Sequence, residues 1–212
     1  LQGGAPLQFA MTPLNLSQSG DVVDYVQTGI WSKKAISEAS RFCTVNIVAD
    51  SSDSNFCHIP LQAEWRKTTN AAYFHYTANE TITGVEFHFI PETGEVPLVA
   101  DMSSTIFSRP IDVNRFGVIY ASAQKNIGPA GVTLVIVRND LLDRKRADTP
   151  THLTYKVFAD SSSMANTPPI FAWYVTALVL EELKAQGGVL AMAKINENKA
   201  MKLYQAIDDS NL

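Results

Sequence analysis

Charge is scarce in this sequence. Only 18% of its 212 residues are Asp, Glu, Lys or Arg, against about 25% in ordinary soluble domains. A chain this poor in charge is expected to bury surface beyond its own core, against a partner or a further domain. Seventeen basic and twenty-one acidic residues leave a net charge of −4. No cationic excess exists to neutralise phosphates, which disfavours a nucleic-acid partner. Cysteine is nearly absent. Cys43 and Cys57 make neither a disulfide framework nor a zinc site; they read as buried or idle thiols in a reducing, cytoplasmic compartment. His58, His75, His88 and His152 show no metal-ligand spacing, so no metal site is expected. Long apolar runs are missing too. The most apolar stretch, Ile170 to Leu180, ends at Glu181-Glu182 and is about half the roughly 20 residues a bilayer span needs, so no membrane partner is expected. Leu1-Gln2-Gly3-Gly4 has no basic n-region and does not read as a signal peptide; it reads as the start of a processed chain or of an excerpt.

Apolar residues make up 46%, enough for a folded core rather than disorder, at about one domain's length. Short β-rich runs alternate with helical stretches, which predicts an α/β layering. Strands are expected at Asp24–Val26, Val45–Val48, Ala72–Thr77, Val96–Ala100, Val118–Ala121 and Val132–Val137. The last is almost wholly apolar, as for a strand covered on both faces. Helices are expected over Leu7–Leu16, with Pro6 tolerated in the first turn; from a Ser32 cap to about Phe42; over Phe171–Gln186, stopped by Gly187-Gly188; and from Val189 to about Ile207. The chain then stops near Asn211-Leu212 with no closing element.

Two polar residues follow strand ends: Asp101 after Pro97-Leu98-Val99-Ala100, and Lys125 after the Val118 strand. Ligands of open parallel sheets bind outside the carboxyl ends of the strands. A Lys amine and a carboxylate delivered there suit pyridoxal 5'-phosphate, which needs an imine-forming amine and a carboxylate beside its ring nitrogen. The plain alternative is a loop lysine and a strand-end carboxylate. Trp31 lies at a strand-to-helix turn, placed to stack on a flat ring or simply to pack in the core. Thr81 follows another strand, either in an ordinary turn or offering a hydroxyl to a ring oxygen. Gly3-Gly4-Ala5-Pro6 precedes a helix and can present N–H groups to a phosphate. His75 and His88 alternate with apolar residues and read as sheet packing, as do Tyr73 and Tyr76. Arg144-Lys145-Arg146 reads as a solvated loop, and Asp160-Ser161-Ser162-Ser163 as a loop that positions Asn166 and Thr167.

Longer stretches run in order over nearly the whole chain: Leu1-Gln2-Gly3-Gly4 with Gln8-Phe9 and Pro13-Leu14-Asn15-Leu16; Asp24-Tyr25-Val26-Gln27-Thr28-Gly29 with Trp31-Ser32-Lys33-Lys34-Ala35; Ala78-Asn79-Glu80-Thr81 with Gly84-Val85-Glu86-Phe87; Ala100-Asp101-Met102-Ser103-Ser104; Gly117 through Asn126 with Gly128 and Gly131; and Asn166-Thr167-Pro168-Pro169. In these the sequence resembles the phosphoserine aminotransferase family of fold-type-I pyridoxal-phosphate enzymes. The resemblance implies a three-layer α/β/α fold with a mostly parallel sheet. It implies that residues 1–212 are the cofactor-binding large domain, without the family's N-terminal segment and C-terminal small domain. The implied reaction moves an amino group between glutamate and 3-phosphohydroxypyruvate, in serine and pyridoxine biosynthesis. Lys125 would form the Schiff base and shuttle the proton between Cα and C4′. Asp101 would pair with the ring nitrogen, Trp31 would stack on the ring, and Thr81 would meet the ring hydroxyl. Gln124, Ala5 and Pro6 would lie at the phosphate, although Pro6 has no N–H to donate. Asn166 and Thr167 would reach the cofactor of the neighbouring subunit in a homodimer. Two rival readings are a non-catalytic cofactor-binding or dimerisation fragment and a different fold-type-I enzyme. Among the latter, a desulfurase is disfavoured because neither cysteine sits in a catalytic loop.

Overall fold

The computed structural model describes residues 1–210; Asn211 and Leu212, where the sequence shows no closing element, lie outside the described residues. In chain order the elements are α1 (Ala5–Leu16), β1 (Val22–Gln27), α2 (Ile30–Ala39), β2 (Thr44–Asp50), β3 (Phe74–Thr77), β4 (Asn79–Glu80) and β5 (Val85–Glu86). There follow β6 (Leu98–Asp101), β7 (Val118–Ser122), β8 (Thr133–Val137), α3 (Tyr155–Asp160), α4 (Ile170–Ala185) and α5 (Gly188–Asp208). One six-stranded sheet runs β2-β1-β3-β6-β7-β8, and β4 and β5 form a small hairpin. Every pairing in the large sheet is parallel except β7 with β8. This is the mostly parallel α/β fold expected.

β6 and β7 are nearly continuous apolar runs up to their polar ends because both of their faces are covered. On one face Phe9 and Leu16 of α1 and Ala35 and Ile36 of α2 pack on Tyr25, Val99, Val118 and Tyr120. On the other, Phe74, Leu98, Ala100 and Ile119 lie under Trp65, Phe87, Met102, Ile106 and Phe116, with Ala172 from the start of α4. Helices therefore cover the first face, whereas turns and extended segments supply much of the cover on the second.

Several local expectations need correction. β8 is an edge strand of the sheet, and its residues 134–137 are only half-buried, with Leu134 and Ile136 packed on one core face and Val135 and Val137 on the other. A parallel crossover needs a dozen or more residues. The link over 123–132 is shorter and is taken up by the Lys125 turn, so the chain returns antiparallel. Ser32 is not the N-cap of α2 but its third residue, from which its hydroxyl closes a capping box on the Gly29 N–H. The helix starts at Ile30 after Gly29, and Ser32 Oγ accepts from the N–H groups of Thr28 and Gly29. The helix also ends at Ala39 rather than Phe42. The short α3, anchored by buried Tyr155 and Phe158, takes in Asp160; one apolar pair three residues apart is too little to show a period. His88 is exposed in a bend and does not pack in a sheet. Arg146 is not fully solvated: its guanidinium donates to Phe42 O and pairs with Asp148.

His75 and the tyrosines do pack inside. His75 Nε2 lies 2.7 Å from the Tyr120 hydroxyl, and its ring stacks on Tyr25 at 4.5 Å. The Tyr25 and Tyr73 hydroxyls are 2.9 Å apart. Tyr76 meets Phe87 edge-on at 4.9 Å. Burial keeps the His75 imidazole neutral, lowering its pKa from 6.5 to about 3. Between those values the unfolded chain binds a proton that the folded chain refuses, so this histidine removes stability as pH falls through that window. Asp101 opposes it between 3.8 and about 6, so the comparison must be with a variant. At pH 7, His75→Phe is expected to destabilise through loss of the Tyr120 bond. By pH 5 the gap to wild type should shrink by about 2 kcal/mol, as read from urea unfolding at both pH values. An unchanged gap would mean that His75 titrates normally.

Candidate active site

The strand order reverses between β1 and β3, and ligands of such sheets gather at that end. Four chain segments leave the sheet there. Trp31 follows β1, Thr81 follows β3 and β4, Asp101 ends β6, and Lys125 sits in the turn after β7. All four line one cavity of about 520 Å³, together with Ala5, Pro6 and Gln124. Seven of the nine expected site residues are thus brought together from segments more than a hundred residues apart.

Asp101 is buried. Its Oδ1 accepts from the Ser103 N–H at 2.9 Å and from Ser103 Oγ at 2.6 Å. Ser103 Oγ in turn accepts from the Ser122 N–H at 3.0 Å, which ties the end of β6 to the end of β7. Burial pushes the Asp101 carboxyl up to about 6, against the opposing pull of the Ser103 bonds and the Lys125 charge. Lys125 Nζ donates to Thr81 Oγ1. Partial burial lowers the Lys125 amine below its ordinary value, opposed by the Asp101 and Glu80 charges. The Ser122 hydroxyl donates to Gln124 Oε1. Trp31 is half-buried, with Lys34 Nζ 4.7 Å from its ring centroid. Ala5 opens α1 next to Gly4, with Pro6 behind it. Ala5 therefore sits where a helix leaves its first N–H groups open to an anion.

Asn166 and Thr167 do not join this cavity. They lie in the segment between α3 and α4, where Asn166 Nδ2 donates to Gln2 Oε1 at 2.8 Å. Sequence reasoning missed Thr77, Glu80, Ser103 and Ser122. Ser103 had a readable signal, because Asp-x-Ser forms a local side-chain turn. Thr77 is set by register alone, directly opposite Asp101; its buried hydroxyl has no partner. A larger groove of about 630 Å³ runs along β8, α3 and α4, but no carboxylate, histidine, lysine or arginine lines it. Asp101 and Lys125 line the smaller cavity instead.

A mostly parallel sheet with a lysine, a buried carboxylate and an indole at its strand ends suits a pyridoxal-phosphate site, and the chain belongs to the class-V aminotransferase family, whose pattern it matches over residues 1–212. Among its relatives it is 60% identical over 210 residues to the phosphoserine aminotransferase of Hahella chejuensis (strain KCTC 2396), a match covering 99% of this chain and 58% of that protein. It superposes with a TM-score of 0.97 on a phosphoserine aminotransferase studied for radiation damage of its Schiff base, at 48% identity, covering 100% of this chain and 59% of that one. Pyridoxal-phosphate-bound phosphoserine aminotransferase from Trichomonas vaginalis superposes with a TM-score of 0.92 at 40% identity, covering 99% of this chain and 59% of that one. The chain thus spans under two thirds of the length of these relatives. Among the described residues no helix is long and apolar enough to cross a membrane.

Proposed function

We propose that residues 1–212 form the pyridoxal-phosphate-binding large domain of a phosphoserine aminotransferase, which transfers an amino group between glutamate and 3-phosphohydroxypyruvate. One observation carries this reading: Trp31, Thr81, Asp101 and Lys125, from four separate strand ends, converge on one cavity. The donor set fits the cofactor. The buried Asp101 carboxylate has donors only from Ser103 and suits a ring N–H. Lys125 touches nothing stronger than a threonine hydroxyl and has its amine lowered toward the free base by burial. The relatives' names and the bound cofactor of the Trichomonas vaginalis protein support the assignment.

When bound, the cofactor supplies an electron sink for the carbanion at the substrate's Cα. The chain's own residues do the rest. Asp101 holds the proton on the ring nitrogen, Trp31 covers a ring face, and the Thr81 hydroxyl bonds the ring oxygen. Gln124 and the Ala5 N–H hold the phosphate; Pro6 shapes that turn without donating. Lys125 would hold the cofactor through Nζ and, once released by the incoming substrate amine, would carry the proton at Cα. Asn166 and Thr167, outside their own cavity, serve the neighbouring subunit's cofactor in a homodimer. Exposed Phe171, Tyr174, Leu178, Leu190, Leu203 and Tyr204 on α4 and α5 support a larger assembly. A cytoplasmic role in serine and pyridoxine biosynthesis belongs to the same reading.

Incubation with pyridoxal phosphate, borohydride reduction and peptide mass mapping test it. One reduced cofactor on Lys125 is expected, and glutamate should discharge the bound form in the native-length protein. An adduct without discharge would leave a cofactor-binding module. No adduct on folded protein would sink the assignment.

A further inference from the structure

Glu80 is 1% exposed and, apart from its charge opposing the lowering of the Lys125 amine, has no role in the chemistry above. Its Oε2 accepts from the Trp31 N–H at 2.9 Å and its Oε1 from the Ser32 N–H at 2.8 Å. These two residues belong to the first turn of α2, where helical N–H groups have no partner within the helix and the helix dipole favours negative charge. That turn has no acidic residue of its own, and its cap is Gly29, which has no side chain. The carboxylate comes instead from the β4–β5 hairpin. Room for it exists only because residue 29 is glycine: a Cβ there would lie 2.5 Å from the Glu80 carboxyl carbon. The Gly29 φ of 168° is extended backbone, so the requirement is for space and not for a special dihedral.

The two ends of this clamp both carry cavity residues. Trp31 is one of the two donors. Thr81 is the next residue after Glu80 and holds the Lys125 amine. We propose that Glu80 is a positioning residue: by clamping the start of α2 onto the β4–β5 hairpin, it sets the gap between Trp31 and the Thr81–Lys125 pair in which the cofactor ring lies. This rests on the pyridoxal-phosphate reading. The clamp acts through Trp31, so a purely structural cap and a positioning residue differ in what they do once Trp31 is removed.

The test uses Glu80→Gln and Gly29→Ala in the native-length protein. The glutamine amide offers one acceptor, so its NH₂ faces the other backbone N–H. In Gly29→Ala the new methyl displaces an intact carboxylate. In cofactor-free protein, hydrogen exchange at the Trp31 and Ser32 amides should quicken about tenfold in either variant, as for one lost charge-assisted hydrogen bond. The pyridoxal-phosphate dissociation constant, read from fluorescence quenching, should rise by about the same factor. At saturating cofactor the borohydride-trapped adduct should still form on Lys125. In a Trp31→Ala background, Glu80→Gln should weaken binding less than about twofold, because interacting positions are not additive. Unchanged affinity, or a full tenfold penalty in that background, would overturn the proposal. If Glu80→Gln does not fold, Gly29→Ala decides; if neither folds, Glu80 is a stability residue and the proposal fails. A wild-type protein that forms no adduct removes the cofactor reading and this proposal together. An adduct on wild type with unaffected variants removes this proposal alone.

Discussion

Lys125→Ala is expected to abolish turnover of the native-length enzyme and to remove the borohydride-trapped adduct, while leaving the fold in place. The two halves of this prediction have separate causes. Lys125 lies at the mouth of the cavity, exposed, with a single hydrogen bond to Thr81. Its truncation opens no core cavity and strands no buried charge, the usual sources of large destabilisation. The thermal midpoint should therefore move by no more than a few degrees. On the proposed reading, catalysis loses both its nucleophile and its proton carrier at one stroke. General acid–base help alone is worth about 10² to 10⁴ in rate, so a fall of about 10⁴ or more is expected. Because burial holds the free amine below the ordinary lysine value, adduct formation by the cofactor-free wild-type protein should set in below that pH. Steady-state rates, with mass mapping of the reduced protein across pH, check both points. Appreciable turnover by the alanine variant would rule out Lys125 as the reacting amine.

Asp101→Asn should separate function from stability in the opposite sense. The amide cannot hold a proton on the ring nitrogen, so most activity is expected to go, by about 10² or more. The cofactor-free protein should be as stable as wild type at pH 7, or more so. The sign follows from the carboxyl itself, raised from 3.8 to about 6 by burial. Above 3.8 the unfolded chain is ionised more readily than the folded one. The ionised carboxylate therefore costs the fold stability, up to about 3 kcal/mol at pH 7. The Asn oxygen keeps an acceptor for the two Ser103 bonds and carries no charge to desolvate. As pH falls through about 6 toward 3.8 the wild-type group protonates in the fold, and the advantage of the variant should shrink. Thermal midpoints of both proteins at pH 7 and pH 5, without cofactor, measure this. A variant much less stable than wild type at pH 7 would show that the Asp101 charge stabilises the empty site. Saturating cofactor should reverse the order, since the ring N–H supplies the partner that the buried carboxylate lacks.

Both predictions concern residues that could be read from the chain alone, and the reason is local. A strand covered on both faces is an apolar run, so the polar residue that ends it stands out. Asp101 after Leu98–Ala100 and Lys125 beyond Val118–Ser122 are such endings. The indole after β1, the glycines before α1 and the Gly187 stop between α4 and α5 are also features of neighbouring residues. They hold wherever the segment is placed.

Other features depend on placement. β8 is as apolar as a central strand, yet it lies at the edge, because a short connection allowed only an antiparallel return. Ser32, near in sequence, meets the Thr28 and Gly29 N–H groups, whereas the Trp31 and Ser32 N–H groups are met by Glu80 from another strand. Tyr120 meets His75, and the Ser103 hydroxyl meets the Ser122 N–H, across strands whose register no sequence spacing encodes. The α/β class, the strand ends and the residue types at those ends are each written in a few adjacent positions. Which of those residues share a cavity, which carboxylate holds the helix under Trp31, and which polar groups are buried beside Asp101 follow from the folded arrangement alone. Those contacts join distant segments, and strand order and register, set by the packing of the whole sheet, bring them within hydrogen-bonding distance.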